Sequence, residues 1–368
     1  MGVMVLARRT LSRHLRRWGC KRQGGSNLEV GVSLWDAFTE VRFSGNVAGV
    51  ITRADELSLG QMQSMATELN APTTGFVTGF EAGPPPVFSV RYFTPRTEID
   101  LCGHVTVAVF SALAAEGRLV AREGGTLAYQ KTAAGMLPVL LHPAGSGRVT
   151  VQMEQRRPTY AFPNIAAREL VELLGGTELH RHLPPEVVST GLRHLLVPFP
   201  QVEALGLLSP DFGRLGRLSR DLGVDTVCAF AVMPGTNAVR ARDFCPGIGA
   251  DEEPASGTTS GALACYLIGH GQVDAGRSGL VTVEVHQGVE MGRPSRIEVD
   301  AKVDGREIQR VWARGRATMA LQGKMMVDRS DRSPIHGFSG LGGAYGIVWR
   351  AISSRKRALR RVPIALIG

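Results

Sequence analysis

Cysteine is scarce and unpatterned in this sequence. The 368 residues include five cysteines, which are odd in number and scattered, and no two of them form a Cys-x-x-Cys pair. This argues against a disulfide framework and a structural zinc site. No apolar run approaches the ~20 residues that a membrane-spanning helix needs, and the N-terminus lacks the apolar core of a secretory signal. We therefore expect a soluble protein of a reducing compartment, the cytoplasm, without membrane contact.

Motifs for cofactors are also missing. The sequence has no Gly-x-x-x-x-Gly-Lys phosphate loop, no Rossmann fingerprint and no Gly-x-Ser-x-Gly nucleophile elbow. No group of histidines and acids has the spacing of metal ligands. We therefore predict chemistry that uses neither a cofactor nor a metal.

Positive charge is concentrated at the two ends of the chain. Residues 1–26 carry seven basic residues and no acid, and residues 329–368 carry eight basic residues and one acid. Subtracting seven charges at each end from the net charge of +9 leaves about −5 for the body, which argues against a nucleic-acid groove there. We predict that both ends are disordered extensions. The alternatives are a mitochondrial transit peptide at 1–26 and a tail that contacts an anionic surface.

Two segments of the body are imperfect copies of each other. Residues 92–117 and 243–271 each have a Phe-x-Pro strand end, an acidic linker, a small residue followed by glycine, and a dozen mostly apolar residues that end in glycine. The repeat predicts two lobes whose helix N-termini face one cleft. Free backbone N–H groups at such N-termini bind anions.

The remaining pattern predicts many strands and few helices. A capping box at Ser58 and Gln61 opens one helix with an apolar stripe, and the two repeat helices are apolar nearly all round, so they should be buried within sheets. Two surface helices are expected at 165–174 and 214–222. Strands are expected at 32–39, 88–94, 195–199, 226–233, 239–244, 281–286, 297–303 and 311–321.

This pattern indicates an α+β fold of two pseudo-symmetric lobes, each a curved and mostly antiparallel sheet or barrel around a central helix. We place the boundary in the turn near Gly147, with lobes at 27–147 and 148–328.

Two proton carriers flank the predicted cleft. His104 lies at the start of the first repeat helix, where the helix dipole favours a neutral ring that exchanges protons near pH 7. Its alternative role is in capping or packing. Glu253 lies just before the second repeat helix, where partial desolvation would raise its pKa and suit it to general acid or base work. The alternative is that the acids at 251–253 form a solvated acidic loop, and this applies to two of the three.

Other residues of the two turns suit a carboxylate ligand. Gly103 and Gly257 allow close approach to backbone N–H groups, and Thr258 adds a hydroxyl donor. Cys102 at a helix N-terminus could have a lowered thiol pKa and act as a base or nucleophile. The counterpart of Cys102 is Ser256, so a two-thiol site is not available. We favour a buried, unreactive thiol, because free cysteines are among the residues most often buried.

Several motifs in one order resemble the PhzF-like (phenazine biosynthesis-like) isomerase family, which has the diaminopimelate-epimerase-like fold. The resemblance covers about residues 30–327. It rests on segments that read DAFT (36–39), FSGN (43–46), QMQ (61–63), YFTP (92–95), LCGH (101–104), STG (189–191), FCPGIG (244–249), EPASG (253–257) and HQG (286–288).

The resemblance implies a cofactor-independent isomerase or epimerase that moves a proton on a small carboxylic-acid substrate in the cleft between two lobes, often as a homodimer. It implies that His104 and Glu253 are catalytic and that Thr258 and Asn46 bind substrate.

One position departs from the family pattern. The family usually has a glutamate as principal proton shuttle where this chain has Thr73, in the segment NAPTTGFV (70–77). Losing a positioned acid or base typically costs ~10²- to 10⁴-fold in rate. Two hypotheses follow: an isomerase in which Glu253 and His104 move the proton and Thr73 hydrogen-bonds the substrate, or a catalytically silent relative that binds a metabolite or a protein partner.

Overall fold

The computed structural model describes residues 27–145, 147–273, 279–305 and 307–329. The predicted extension at 1–26, and all of the predicted extension at 329–368 except Arg329, lie outside the described residues. The strands are β1 (Asn27–Ala37), β2 (Asn46–Ile51), β3 (Thr73–Glu81), β4 (Val87–Phe93), β5 (Glu98–Ile99), β6 (Thr126–Thr132), β7 (Gly135–Pro143), β8 (Val149–Gln155), β9 (Thr159–Ala161), β10 (Glu186–Ser189), β11 (Arg193–Pro198), β12 (Thr226–Val232), β13 (Ala238–Phe244), β14 (Glu252–Glu253), β15 (Leu280–Gln287), β16 (Ser295–Asp304), β17 (Glu307–Gly315) and β18 (Ala317–Asp328). The helices are α1 (Leu59–Leu69), α2 (Gly103–Ala115), α3 (Ala167–Leu174), α4 (Val202–Gly206), α5 (Phe212–Leu222) and α6 (Gly257–Gly269), with one 3-10 turn at Pro246–Ile248.

The strands form one continuous hydrogen-bonded sheet, which consists of two smaller sheets with the same plan. In the first lobe the neighbours run β18, β1, β2, β3, β4, β6, β7 and β8, and in the second they run β9 to β13 and then β15 to β17. Each sheet is antiparallel except at the same two places, β2–β3 and β4–β6 in the first and β11–β12 and β13–β15 in the second. An antiparallel pair between β8 and β17 joins the sheets. The predicted fold of two similar lobes is confirmed, while the boundary near Gly147 stays a prediction.

A buried helix fills each lobe. Helix α2 contacts β1, β2, β3, β8 and β18, and α6 contacts β10, β11, β16 and β17. Ten of the thirteen residues of α2 and eleven of the thirteen of α6 are buried, which is why both helices lack a polar face. Removing such side chains from water stabilises each lobe by roughly 1.5–3 kcal/mol for every large residue. The sheets therefore hold the two helices, and with them their N-termini, in fixed positions.

The capping box of α1 is confirmed. The Gln61 backbone N–H donates to Ser58 Oγ at 3.2 Å, and the Ser58 N–H donates to Gln61 Oε1 at 2.9 Å. Met62, Met65 and Ala66 are buried as predicted, but Leu59 is 41% exposed because it lies in the first turn, at the edge of the packed face. Helix α1 therefore packs on the first lobe, and its Gln63 and Thr67 side chains donate to the carbonyls of Thr94 and Pro95 at 3.0 and 2.7 Å.

One predicted strand, 311–321, is wrong in its extent. The chain instead forms β17 and β18, with Arg316 between them unpaired in either strand. The carbonyl of Arg316 accepts hydrogen bonds from the Phe38 and Thr39 N–H groups at 2.7 and 3.3 Å, and a Cβ at Gly315 would clash with the Phe38 ring. This loop redirects the chain from the second lobe into the first, where β18 pairs with β1.

Candidate active site

The two repeat turns have the same local geometry. The residues before α2 and α6, Cys102 and Ser256, have φ/ψ of −141°/118° and −134°/117°. Four residues on, the hydroxyls of Thr106 and Ser260 each donate to the carbonyl of that residue at 2.8 Å. The repeat read from the sequence is therefore also a repeat in three dimensions. The first N–H groups of both helices have no partner within the helix, as at any helix start.

An ion pair in which one arginine donates to both carboxylate oxygens of a glutamate, called a fork below, precedes each turn. Arg91 donates to both carboxylate oxygens of Glu98 at 2.8 Å, and Arg242 donates to those of Glu252 at 3.0 and 2.8 Å. Because the second fork is almost buried and charge-assisted, Glu252 is committed to Arg242. The interpretation of Glu252 as a solvated loop acid is therefore wrong, whereas Asp251 is exposed as that interpretation requires.

Glu253 has no such cation and is half-buried. Burial, followed by the charge of Asp243, raises the pKa of its carboxyl from 4.5 to about 8. Its backbone carbonyl accepts a hydrogen bond from Gln287 Nε2 at 2.7 Å, and Gln287 Oε1 accepts from the Ser256 N–H at 3.3 Å. One glutamine thus fixes Glu253 relative to the start of α6. The predicted rise in its pKa is confirmed.

His104 is buried, with 6% of its surface exposed. Burial lowers the pKa of its ring from 6.5 to about 4, although a hydrogen bond with the backbone of Val47 acts in the opposite direction. Its Nδ1 lies 3.3 Å from Cys102 Sγ. The ring is therefore neutral at pH 7, as the sequence predicts. The expectation that it titrates near pH 7 is wrong, because the loss of water lowers the pKa further in the direction that the helix end already favours.

Cys102 is a protonated thiol. Burial raises its pKa from 9.0 to about 12, and the charge of Glu253 raises it further, while hydrogen bonds from Thr73 and from the α2 backbone lower it. The alternative that Cys102 has a lowered thiol pKa is therefore wrong. Thr73 is 5% exposed and starts β3, which brings its hydroxyl to Cys102. Thr73 therefore hydrogen-bonds Cys102 within the first lobe, and the charge of Glu253 in the second lobe acts on the same thiol.

The remaining predicted residues lie around the same turns. Asn46 is buried, and its Nδ2 donates to the Ala255 carbonyl at 2.9 Å, so it ties β2 to the loop before α6. Thr258 Oγ1 lies 3.2 Å from Ser256 Oγ. A Cβ at Gly257 would lie 3.4 Å from the Phe38 ring, and one at Gly103 would lie 3.9 Å from Met153. Both glycine turns therefore approach side chains of their surroundings closely.

Sequence reasoning missed Asp243, which lies opposite Glu253 in the β13–β14 pair. Asp243 is fully buried, and burial raises the pKa of its carboxyl from 3.8 to about 6. It occupies the first position of the second repeat segment, where the first segment has Tyr92, so the comparison of the two segments contained the signal.

Neither a metal centre nor a membrane span is found in the part of the chain that the structure describes. No three or more histidine, cysteine, aspartate or glutamate side chains there are grouped to hold a metal ion. No helix there is long and apolar enough to cross a membrane.

The raised pKa of Glu253 predicts a pH-dependent stability. A carboxyl whose pKa is higher in the folded than in the unfolded state favours folding below its unfolded pKa, and this contribution is lost as the pH rises through the folded pKa. Replacing Glu253 by glutamine removes the titration. We therefore expect the free energy of unfolding of the wild type, relative to Glu253→Gln, to fall by on the order of 3 kcal/mol between pH 5 and pH 8.5.

Urea unfolding of both proteins at several pH values measures this difference directly. His104 is mostly neutral over this pH range in both proteins, so the difference reports Glu253 together with the effect of its charge on Asp243. Asp251→Asn, which removes an exposed acid two residues away, should follow the wild type at every pH. A constant difference between the wild type and Glu253→Gln across this range would contradict the raised pKa.

Comparisons with known proteins agree with this architecture. A family model described as "Phenazine biosynthesis-like protein" matches residues 35–323. An uncharacterized isomerase of Deinococcus radiodurans is 39% identical over 293 residues, which cover 78% of this chain and 92% of that protein. The trans-2,3-dihydro-3-hydroxyanthranilate isomerase of Pseudomonas fluorescens is 31% identical over 280 residues, covering 76% of this chain and 93% of that protein.

Solved structures share the fold. The crystal structure of a phenazine biosynthesis protein of the PhzF family from Bacillus anthracis matches with a TM-score of 0.72 and 25% identity, covering 81% of this chain and 99% of that chain. A hydroxyproline epimerase from Agrobacterium vitis matches with a TM-score of 0.51 and 17% identity, covering 83% of this chain and 93% of that chain, which indicates a common fold alone.

Proposed function

The chain belongs to the phenazine biosynthesis-like (PhzF) family, and from that premise we propose that it is a cofactor-independent isomerase or epimerase that moves a proton within a small carboxylic acid. The observation that carries the proposal is Glu253: a desolvated carboxyl with a pKa of about 8, adjoining the start of a buried helix. A group whose pKa lies near the working pH can both give and take a proton.

Side chains of this protein are sufficient for the proposed reaction. Glu253 in its ionised form takes a proton from a carbon of the substrate, and the electron pair left behind is delocalised towards the substrate carboxylate. The same proton, or one exchanged with water, then returns to a different carbon or to the other face of the same carbon. Bonds and charges balance, and the product is an isomer of the substrate.

The two turns would hold the substrate. We propose that the first N–H groups of α2 and α6, at Gly103 and Gly257, bind the substrate carboxylate, because such groups favour anions. Thr258 and Thr73 would donate hydrogen bonds to the substrate. His104, neutral at pH 7, would accept or donate a proton on the face opposite Glu253, since the two residues come from opposite turns.

The named substrate of one relative suggests the first compound to test. That protein is a trans-2,3-dihydro-3-hydroxyanthranilate isomerase, so we propose a cyclic or short-chain acid of similar size. Incubation of this compound and of a panel of small carboxylic and amino acids with the protein in ²H₂O, followed by ¹H NMR, should show one compound that loses a carbon-bound proton signal as its isomer appears. A panel in which several acids bind without any exchange would contradict the proposal.

The position of Thr73 favours a second candidate function, a silent relative that binds a metabolite or a protein partner. A threonine hydroxyl cannot shuttle a proton near neutral pH, so the usual shuttle of the family is missing. Under this hypothesis thermal-shift measurements find a bound acid, while the exchange measurement finds no turnover. The homodimer remains a prediction, which light scattering of the full chain would test.

A further inference from the structure

A second carboxyl lies beside Glu253 and is more deeply buried. Asp243 and Glu253 are directly opposite each other in the antiparallel β13–β14 pair, so their side chains project from the same face with Cβ atoms about 4.5–5.5 Å apart. Asp243 has no exposed surface, whereas Glu253 is half-buried. Two like charges at such positions repel each other.

The buried carboxyl is held by hydroxyls and by no cation. Asp243 Oδ2 accepts a hydrogen bond from Thr259 Oγ1 at 2.6 Å, in the first turn of α6, and its Oδ1 has no partner. His194 Nδ1 lies 2.8 Å from Thr226 Oγ1 and 3.2 Å from Thr259 Oγ1. Burial lowers the pKa of His194 to about 3, so this ring is neutral and does not compensate the charge.

The other titratable groups around the pair are neutral or already paired. Burial raises the thiol pKa of each neighbouring cysteine, so that all three are protonated at pH 7. Glu252, the other acid beside the pair, forms the ion pair with Arg242 described above. The effective unpaired charge near Glu253 is therefore that of Asp243. The surrounding groups are Cys102, Cys228, Cys245, Arg242, Glu252 and His194.

The first lobe lacks this carboxyl pair. The corresponding pair in β4 and β5 is Tyr92 opposite Ile99. The Tyr92 hydroxyl donates to Gln130 Oε1 at 2.6 Å and lies 2.8 Å from Thr106 Oγ1, so the same location is filled by an uncharged network. The acid pair is thus a feature of the second lobe that the repeat itself does not require.

We infer that Asp243 is a positioning residue that acts through Glu253: the two carboxyls interact through their charges without a direct hydrogen bond, together hold one proton, and the buried charge of Asp243 keeps that proton on Glu253. Asp243 itself touches no substrate. Two interacting carboxyls of this kind lose their protons in steps that belong to the pair.

The inference rests on the proposed function for its consequence in catalysis, but its test does not need turnover. Wild type, Asp243→Asn and Asp251→Asn, each labelled with ¹³C at the glutamate carboxyl carbon, are titrated by NMR, and the Glu253 signal is assigned by its loss in Glu253→Gln. We expect the midpoint of Glu253 to fall by about one pH unit or more in Asp243→Asn. In Asp251→Asn, where the lost charge is exposed, it should not move.

An unchanged midpoint in Asp243→Asn would overturn the inference. If Asp243→Asn does not fold, the wild type labelled at its aspartate and glutamate carboxyl carbons decides instead. Shared two-step titrations of the Asp243 and Glu253 signals support the pair, and an independent single step for each overturns it. A protein without isomerase activity can still show the coupled titration, so failure of the proposed function and failure of this inference give different results.

Once a substrate is known, a kinetic measurement adds a second readout. The limb of the pH profile of kcat/KM that reports Glu253 should move to lower pH in Asp243→Asn and keep its position in Asp251→Asn. A loss of activity without movement of this limb would indicate a merely structural role and contradict the inference.

Discussion

Glu253→Gln is expected to lower the rate of solvent deuterium incorporation into the substrate by ~10²- to 10⁴-fold, the usual contribution of a positioned acid or base. Glutamine retains the size of the side chain and its hydrogen-bonding atoms but cannot carry the proton. Because the Gln287 hydrogen bonds reach only the backbone of residue 253 and the N–H of Ser256, the turn before α6 should keep its shape. The measurement is ¹H NMR of the substrate in ²H₂O, with substrate binding followed separately.

Two comparisons make this result specific. Binding of the substrate should change little in Glu253→Gln, since the proposed carboxylate donors are backbone groups. Asp251→Asn serves as the matched control, because it removes an exposed acid from the same loop and should retain the wild-type rate. Full exchange in Glu253→Gln would remove Glu253 from the mechanism and shift the proton transfer to His104.

The fold could be predicted well because its signals are local and repeated. The two apolar helices have no polar face, and only a surrounding sheet can bury such helices. The capping residues of α1 could likewise be recognised, because a capping box depends on neighbours within one turn. The exact extent of β17 and β18 could not be predicted, because the break at Arg316 depends on backbone contacts with Phe38, which is distant in sequence.

The sequence proposes the members of the candidate site, but it could not predict their electrostatics. The sequence indicated His104 and Glu253 through the repeat, and the structure brings their turns together. The sequence could not show that burial lowers the pKa of His104 so far or raises the pKa of Cys102, because desolvation depends on the whole surrounding fold. Nor could it assign Glu252 to Arg242, since that ion pair requires the register between β13 and β14.

The environment of Asp243 could not be predicted from sequence patterns. Its neighbours in sequence form a strand end that matches the first repeat, and an acid at that position reads as one of many polar strand residues. Only the register places it opposite Glu253 and buries it under α6. A comparison of the two repeat segments residue by residue, with Asp243 set against Tyr92, would have marked the asymmetry.

Thr73→Glu is expected to lower turnover of the native substrate by about 10²-fold or more. Thr73 is 5% exposed, and its hydroxyl hydrogen-bonds the Cys102 thiol near Glu253. A glutamate there adds a third acid to a site that already contains Glu253 and Asp243, and it removes the hydroxyl that hydrogen-bonds Cys102. Like charges brought together in this way cost several kcal/mol, and each 1.4 kcal/mol is a factor of ten in rate.

Matched variants separate the charge from the loss of the hydroxyl. Thr73→Ser keeps the hydrogen bond and should retain most activity, whereas Thr73→Val keeps the shape and loses only that bond, so its rate should lie between those of Thr73→Ser and Thr73→Glu. The silent-relative hypothesis predicts the opposite for the charged variant, since a restored carboxyl would then create turnover of trans-2,3-dihydro-3-hydroxyanthranilate where the wild type has none. An active enzyme already relies on Glu253 to move the proton. A gain of turnover in Thr73→Glu would therefore mean that Glu253 and Asp243 do not by themselves support catalysis in the native protein. The proposed site would then serve binding.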